Sequence, residues 1–438
     1  MPITFAESEE AAAALVKHFR TNLAYYRAPA YKEAEARQEF IDPLFIALGW
    51  DVHNTQHLSP LYKEVIFEES REVEGSTKAP DYTFRVGREA IFFVEAKRPG
   101  VNLKIAAEPA YQVRRYAWSQ KLPLSILTDF EEFAVYEGRT RPNATDKAGI
   151  ARVNFYGYEE YADRWREIWD VFSREAVLAG SFQQFVESGK GRRGTSEVDT
   201  EFLKDIERWR DVLARHIALR NLDLSRDDLN DLVQRLIDRV VFLRIAEDRG
   251  IEPPEQLKQL TSSDQLYAGL VQQFYAADRK YNSGLFDFSK NGDTLSPRLK
   301  VDDAVLRQII LDLYYPRSPY QFDRIPVEIL GNVYEQFLGK VIKLTDAHHA
   351  KVEEKPEVKK AGGVYYTPAY IVDYIVKQTV GQAIAGKSPK QLEKFRVLDM
   401  ACGSGSFLLG AYQYLLDYYL KWYTEHSDPS GFVNPKVC

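Results

Sequence analysis

Two carboxylates and a lysine in the N-terminal third have the spacing of a metal-dependent hydrolase. Asp81 follows a proline, and one alanine separates Glu95 from Lys97. Because alternate residues of a β-strand share a face, Glu95 and Lys97 point the same way if the apolar run before them is a strand. Carboxylates can hold Mg²⁺ against a phosphate while a lysine stabilises charge beside the attacking water. The pattern predicts phosphodiester cleavage with Mg²⁺ on Asp81 and Glu95, although an ordinary exposed Glu–Lys pair would look the same.

A second pattern lies near the C-terminus, where residues 399–405 read DMACGSG. An aspartate ending an apolar run, followed by a glycine-containing turn and a helix, suits a nucleotide-like cofactor. Glycines let the backbone approach a ligand, and a helix N-terminus presents free N–H groups. Dinucleotide-binding folds use similar turns, but their Gly-x-Gly-x-x-Gly spacing differs from this one. The stretch therefore predicts a cofactor-binding loop.

Short strands around one helix would have to position the first set of residues. Alternating apolar residues predict strands at 82–86, 90–95, 124–128 and 133–136, with a helix at 105–120 between the second and third. Residues 7–49 have helical spacing that stops at Gly49. A tight turn at 87–89 would bring Asp81 beside Glu95. This order predicts a compact mixed α/β domain.

The remaining patterns divide the chain. Residues 151–187 are aromatic and helical in pattern, 188–196 are basic and glycine-rich like a linker, and 197–345 are almost wholly helical in pattern. A helix at 368–381, a strand at 396–400 and a helix at 406–422 follow. We therefore predict four parts, which are the mixed α/β domain at 1–150, an aromatic helical extension and linker at 151–196, a helical connector at 197–345, and the start of a cofactor-binding domain at 346–438.

The composition is that of an ordinary globular protein, with 438 residues of which 45% are hydrophobic and 28% charged. Two cysteines are too few for a disulfide framework, and no stretch is apolar enough to span a bilayer. We expect a cytoplasmic protein without a membrane partner. The net charge of −6 leaves nucleic-acid binding open, because phosphate contacts depend on local basic patches.

The N-terminal pattern resembles the PD-(D/E)XK nuclease superfamily, especially the nuclease domains of type I restriction subunits and of fused type IIG/IIL restriction-modification enzymes. The resemblance implies that Asp81 and Glu95 bind the metal and that Lys97 assists the water. The Gln-x-x-x-Tyr helix of that family falls on Gln112 and Tyr116.

The same family places a glutamate on its first helix, and three residues compete for that position. They are Glu33, Glu35 and Glu39. We favour Glu39, which directly precedes Phe40-Ile41-Asp42-Pro43-Leu44, although a solvated helix face accounts for it equally well.

The C-terminal pattern resembles the N6-adenine DNA methyltransferases. Residues 399–407 are similar to their motif I, and residues 362–368 are similar to motif X, which precedes motif I in the γ class and contacts the same S-adenosylmethionine. The resemblance implies the start of a Rossmann-like domain. It assigns cofactor contacts to Tyr366, Thr367, Pro368, Asp399, Ala401, Gly403, Gly405 and Phe407. Thr367 and Pro368 alone also fit an ordinary helix cap.

The catalytic motif of that family, Asn-Pro-Pro-Tyr, is absent, because Asn434 and Pro435 are followed by Lys436. We therefore expect no methyl transfer by this chain alone and weak or no binding of S-adenosylmethionine. Any target recognition domain would lie beyond Cys438 or on a partner chain.

Together the two patterns predict the N-terminal portion of a restriction-modification protein acting on double-stranded DNA. It would combine a Mg²⁺-dependent endonuclease with part of a site-specific adenine-N6 methyltransferase. Two alternatives stay open. One is a phage-defence protein of methyltransferase lineage with a degenerate nuclease, and the other is a non-catalytic, truncated remnant that needs a partner chain.

Overall fold

The computed structural model describes residues 3–60, 62–67, 80–87, 89–188, 197–289, 292–326, 329–331, 333, 339–345, 347–355, 367, 369–403 and 405–426. The chain divides into two compact units. The first is Met1–Ile325 with Leu344–Ala350, and the second is Pro326–Lys343 with Lys351–Cys438. The predicted parts 1–150, 151–196 and 197–345 thus fall largely within one unit, and the finer boundaries between them stay a prediction. The predicted linker at 189–196 lies outside the described residues.

The first unit contains a sheet and a larger set of helices. Its helices are α1 Phe5–Thr21, α2 Leu23–Tyr26, α3 Glu33–Ala36, α4 Asp42–Ala47, α5 Ala107–Ser119, α6 Tyr161–Phe172, α7 Arg174–Leu178, α8 Ser181–Ser188, α9 Val198–Arg220, α10 Arg226–Asp248, α11 Gln256–Leu260, α12 Leu266–Tyr281 and α13 Asp303–Leu311. A π-helical turn, Arg37–Ile41, joins α3 to α4. Within the described ranges, no helix is both long and apolar enough to cross a membrane.

Six strands form one sheet in chain order. They are β1 Val65–Phe67, β2 Tyr82–Val86, β3 Glu89–Ala96, β4 Leu124–Thr128, β5 Glu132–Glu137 and β6 Arg152–Gly157. Neighbouring strands run antiparallel, except that β3 and β4 are parallel. The parallel pair is joined through α5, because parallel strands need a crossover connection. The mixed α/β prediction for this region is confirmed.

Successive side chains of β3 alternate between the large core on one face of the sheet and the α5 side on the other. Phe92, Val94 and Ala96 belong to the large aromatic core that also contains residues of α1, α4 and α6. Phe93 lies on the opposite face, in a cluster with Tyr116 and Ala117 of α5. Since Glu95 is two residues from Phe93, it points towards the α5 side. The strand thus contributes to the large core on one face and carries the candidate site residue Glu95 on the other.

Three expectations for the first unit are corrected. Residues 152–157, predicted helical, form β6, because they pair with β5 and close the sheet edge. The three-residue strand β1 was missed, since so short a run shows no periodicity. The helix predicted over 7–49 is interrupted after α2 and resumes at α3. It does end as predicted, at Gly49 with φ +88°, a conformation that favours glycine.

Segment 314–325 lies between α5 and the helices of the predicted connector. On one side, the backbone N–H of Gln321 donates to Ser119 Oγ at 2.9 Å. On the other, Tyr320 Oη donates to Asp205 Oδ2 of α9 at 2.6 Å, and the Phe322 N–H donates to Asp248 Oδ2 of α10 at 3.1 Å. This segment therefore joins α5 of the sheet region to the helical region.

The rest of the chain contains a two-stranded sheet and further helices. They are β7 Lys340–Leu344, β8 Ala350–Glu354, α14 Ala369–Val376, α15 Gln382–Ile384, α16 Pro389–Leu392 and α17 Ser406–His426. A π-helical turn, Lys377–Gly381, follows α14. Strand β7 lies where the sequence predicts helix. A small core around Val376, Ile384 and Ala411 joins these helices.

The strand predicted at 396–400 is absent from the described structure. A strand exists only when its backbone groups bond to a neighbour, and no described strand pairs with this stretch. Its apolar side chains are consequently exposed, Leu398 by 82% and Met400 by 91%. The Rossmann-like arrangement expected here is not formed by the described residues.

Candidate functional site

Three carboxylates and one lysine meet where β2 begins and β3 ends. Lys97 Nζ donates to Glu95 Oε1 at 2.8 Å and to the Ala96 carbonyl at 2.7 Å, and it lies 3.6 Å from Glu33 Oε2. Asp81 Oδ2 accepts from the Ala96 N–H at 2.8 Å. The antiparallel register pairs Tyr82 with Val94, so one step outward Asp81 faces Glu95. The hairpin thus brings the three predicted residues together.

Exposure of these side chains increases from Glu95 outward. The Glu95 side chain is 4% exposed, that of Lys97 20% and that of Glu33 40%. Glu95 Oε2 is buried and receives no hydrogen bond from any described residue. A buried carboxylate oxygen without a partner is costly, so a cation or a proton at this position would relieve it.

The charges of the group shift its pKa values. Burial raises the pKa of Glu95 to about 7, with Lys97 opposing the shift and Asp81 adding to it. Burial also raises the pKa of Glu33. Burial lowers the pKa of Lys97, but the carboxylates of Glu95, Glu33 and Asp81 outweigh it, and the net pKa is raised. Lys97 is therefore a cation at neutral pH, suited to stabilising negative charge rather than to removing a proton.

The donor set fits Mg²⁺ in the form it takes in phosphoryl-transfer sites. In the described part of the chain, no group of three or more His, Cys, Asp or Glu side chains is arranged to hold a metal by itself. Mg²⁺ commonly binds through one or two carboxylates, with waters and substrate phosphates completing its shell. Asp81 and Glu95 supply such a pair, and the unpaired Glu95 Oε2 is the atom best placed to take the ion.

Helix α5 lies alongside this group. Tyr116 is buried, with its ring centroid 6.4 Å from that of Phe93. Burial raises the Tyr116 pKa well above its ordinary value, and the Glu95 charge adds to the shift. Gln112 is half-buried one helical turn earlier, on the same side of α5. The helix predicted to flank the site is therefore the one that does.

The glutamate beside the lysine is Glu33, and the favoured candidate Glu39 is elsewhere. Glu39 is exposed on the π-helical turn, where its charge acts on the phenols of Tyr26 and Tyr31. The π turn changes which residues share a helix face, and a sequence pattern read with a constant 3.6-residue period does not detect it. Glu33 replaces Glu39 in the group on geometric grounds.

Arg37 is a further charged neighbour that the sequence pattern did not indicate. Its Nη1 lies 3.3 Å from Asp81 Oδ1. Helical spacing offers one signal, since Arg37 follows Glu33 by four residues and the two share a face. With Arg37 included, three carboxylates face two cations, and the group has one net negative charge when all are ionised.

The predicted cofactor loop forms an exposed turn before α17. Asp399 Oδ1 accepts from the Ala401 N–H at 3.0 Å, and the Gly405 N–H donates to the Cys402 carbonyl at 2.6 Å. Gly403 and Gly405 have φ of +52° and +83°, which other residues rarely adopt, and the space beside Gly405 is open. A glycine turn opening onto a helix N-terminus can approach a ligand closely.

Only some of the other predicted cofactor residues are among the residues that the structure describes. Phe407 packs against the small core of α14 to α17. Thr367 is half-buried, whereas Tyr366 and Pro368 lie outside the described residues. The structure thus places Asp399, Ala401, Gly403 and Gly405 in one turn and does not test their contact with Thr367.

Two family models match the chain. Residues 30–144 match the type I restriction enzyme R protein N terminus, and this range contains Glu33, Asp81, Glu95 and Lys97. Residues 326–426 match N-6 DNA methylase, and this range contains the loop at 399–405.

Individual proteins show the same combination. The chain is 36% identical over 414 residues to the type II restriction enzyme and methyltransferase RM.Eco57I of Escherichia coli, a match covering 94% of this chain and 41% of that protein. The chain therefore spans less than half the length of this relative. The solved type IIG restriction endonuclease BpuSI matches 86% of this chain and 37% of its own at 15% identity, with a TM-score of 0.24, which is too low to establish a shared overall fold.

Proposed function

Because this chain is homologous to fused type II restriction enzymes and methyltransferases, we propose that its N-terminal sheet hydrolyses phosphodiester bonds of double-stranded DNA with Mg²⁺. The observation that carries the proposal is the unpartnered, buried Glu95 Oε2 beside Asp81 and Lys97. Asp81 and Glu95 would hold the ion. When bound, Mg²⁺ would polarise the scissile phosphate and neutralise part of its charge.

The chain's own residues then have separate roles. Lys97, charged and held by Glu95 and the Ala96 carbonyl, would stabilise the negative charge that develops as water attacks phosphorus. Glu33, more exposed and 3.6 Å from Lys97, lies on the open side of the group, where it can accept a hydrogen bond from the attacking water. Tyr116 and Gln112 would keep α5 against the site.

The net charge of the group favours binding of the divalent cation before binding of the DNA phosphate. One net negative charge attracts a divalent cation, and the site with bound Mg²⁺ is then net positive, as a DNA phosphate requires. Without the cation, the ionised group would keep its net negative charge and repel the phosphate. Cleavage should therefore depend strictly on a divalent cation.

For the second half we propose that the turn at 399–405 contributes to an S-adenosylmethionine site of an adenine-N6 methyltransferase. The observations that support it are the positive φ values of Gly403 and Gly405 and the N-terminus of α17 directly behind them. Asp399, Ala401, Phe407 and Thr367 would complete this part of the site.

Plasmid cleavage in Mg²⁺ tests the nuclease proposal. We expect nicking or linearisation by the intact chain, complete loss with Asp81→Asn, and a loss on the order of 10²- to 10⁴-fold with Lys97→Ala. Lys121→Ala is a matched control, since Lys121 also pairs with two carboxylates, Glu197 and Asp199, but outside the site. Equal cleavage by wild type and Asp81→Asn would refute the proposal.

A further inference from the structure

Arg37 contacts Asp81 at two points. Its Nη1 lies 3.3 Å from Asp81 Oδ1, and its Nη2 donates to the Asp81 backbone carbonyl at 3.4 Å. The other carboxylate oxygen, Oδ2, accepts from the Ala96 N–H. The Asp81 carboxylate is thus held from two sides, which fixes its orientation as well as its place.

Arg37 is itself held by an aromatic ring. Its guanidinium carbon lies 4.7 Å from the ring centroid of Tyr82, and its Nε donates to Tyr82 Oη at 3.3 Å. Tyr82 Oη in turn donates to Asp42 Oδ1 at 2.6 Å. Tyr82 and Asp42 are both buried. A cation stacked on an aromatic ring and bonded at several points has little freedom to move.

The π-helical turn places Arg37 and Asp42, which both contact Tyr82, on the same side of the helix. The Asp42 N–H bonds to the Arg37 carbonyl, five residues back. Asp42 therefore lies close to the side from which Arg37 projects, and Tyr82 can contact both. A π turn inside a helix is rare and frequently lies at a functional site.

We propose that Arg37 is a positioning residue of the nuclease centre, which holds the Asp81 carboxylate ready for the metal and is fixed for that task by Tyr82 and Asp42. The proposal rests on the nuclease function proposed above. An arginine that waits for a DNA phosphate would have a free end directed to solvent. Arg37 instead has all three guanidinium nitrogens on protein oxygens.

Arg37→Lys is the informative variant, because it keeps the charge and removes the planar, multi-point contact. Binding of Mn²⁺ alone, followed by its paramagnetic resonance signal, serves as the probe, since Mn²⁺ shares the preference of Mg²⁺ for carboxylate oxygens. We expect Arg37→Lys to weaken Mn²⁺ binding by about 10- to 100-fold, as loss of a residue that orients a metal ligand does. The kcat for DNA cleavage should fall with it, with KM for DNA unchanged.

Two further variants separate positioning from folding. Tyr82→Phe keeps the ring under Arg37 and removes its hydroxyl, so Mn²⁺ binding should weaken in the same direction by a smaller factor. Arg166→Lys is the control, because Arg166 also pairs with an aspartate, Asp170, and stacks on an aromatic ring, Phe5, with no contact to the site. Its Mn²⁺ affinity should equal that of wild type.

The outcomes are distinct. Wild-type Mn²⁺ affinity in Arg37→Lys overturns the proposal, even if its melting temperature falls, because the role is then only structural. A raised KM for DNA with unchanged Mn²⁺ affinity assigns Arg37 to the DNA and also overturns it. If the wild type binds Mn²⁺ no better than Asp81→Ala, the positioning role fails together with the metal site. If the wild type binds Mn²⁺ but cuts no DNA, only the nuclease function fails, and the Mn²⁺ comparison still decides the role of Arg37.

Discussion

The guanidinium of Arg115 on α5 donates a 2.7 Å hydrogen bond to the backbone carbonyl of Tyr320 in segment 314–325. Both residues are buried, and the rings of Trp118 and Tyr320 pack beside the bond with centroids 5.6 Å apart. The inner side of the same helix carries Gln112 and Tyr116. Helix α5, which flanks the proposed nuclease site, is therefore bonded on its other side to segment 314–325. This segment directly precedes the range that matches N-6 DNA methylase.

Replacing Arg115 by methionine should destabilise the first unit by about 2 kcal/mol, since it leaves a buried carbonyl without its charged donor. Urea unfolding measures this as a lower midpoint with an unchanged slope. Arg164→Met is the control. Arg164 pairs with Glu160 and Glu167 and stacks on the Tyr156 ring at a half-exposed position, and its loss should cost less than about 1 kcal/mol. Equal midpoints for the two variants would show that the contact between α5 and segment 314–325 contributes little.

Glu33→Gln should reduce Mg²⁺-dependent cleavage on the order of 100-fold, because Glu33 lies beside Lys97 where the attacking water would bind. Glu39→Gln, on the same stretch of helix, should leave the rate unchanged. Initial rates at saturating Mg²⁺ distinguish the two. A larger loss of cleavage with Glu39→Gln than with Glu33→Gln would assign the catalytic role to Glu39 and contradict the placement of Glu33 beside Lys97.

Asp129 should make stability fall as pH rises. It is fully buried, and burial raises its pKa well above the ordinary value of 3.8. A group whose folded pKa is raised stabilises the protein below its unfolded pKa, and this contribution is lost as pH rises towards the folded value.

Asp129→Asn removes that titration, so over the accessible range above about pH 4 the stability of the variant relative to wild type should rise with pH. Melting temperatures across this range measure the difference. The test is how the difference in melting temperature changes with pH. Its absolute size is not the test, since the amide brings its own unsatisfied N–H. Asp170→Asn, on an exposed helix face, should leave the slope unaltered. Parallel pH profiles for wild type and Asp129→Asn would rule out a buried, titrating Asp129.

The chain alone should bind S-adenosylmethionine only weakly. Residues 396–400 lack a neighbouring strand in the described structure, so the turn that follows is not fixed in advance, and ordering it would use up binding energy. Calorimetry should show no binding with a Kd in the micromolar range. Micromolar binding that disappears in Asp399→Ala would contradict this expectation and show that the turn is already competent.

The sequence predicts the part of the site that depends on local rules. Alternation on β3 and a tight hairpin are enough to bring Glu95, Lys97 and Asp81 together, and both can be recognised over a few residues. The resemblance to the nuclease family assigns Gln112 and Tyr116, and their four-residue spacing puts both on one side of α5. These elements need no information from distant parts of the chain.

The features that the sequence patterns did not predict depend on contacts with other parts of the chain. Strand β6 pairs with the edge of β5, and it was missed because the helical pattern was read over the whole stretch 151–187 although its own residues favour a strand. Residues 396–400 show the reverse case, since a strand-like run without a described neighbour forms no strand. Glu39 was favoured because it directly precedes residues 40–44, a criterion that takes no account of the π turn at Arg37–Ile41.

The π turn also sets how this helix tolerates changes in length. Each residue of an α-helix advances the angle around its axis by about 100°, so one residue more or less rotates everything beyond it by that amount. The turn at Arg37–Ile41 already contains such an extra residue, and the core residues Phe40, Ile41, Leu44 and Phe45 are in phase with it. Deleting one residue here would restore a regular α-helix, and it would rotate Glu33, the buried Ala36 and Arg37 relative to the core residues Leu44 and Phe45. A single-residue deletion in this turn would therefore disturb the proposed nuclease centre and the core packing together.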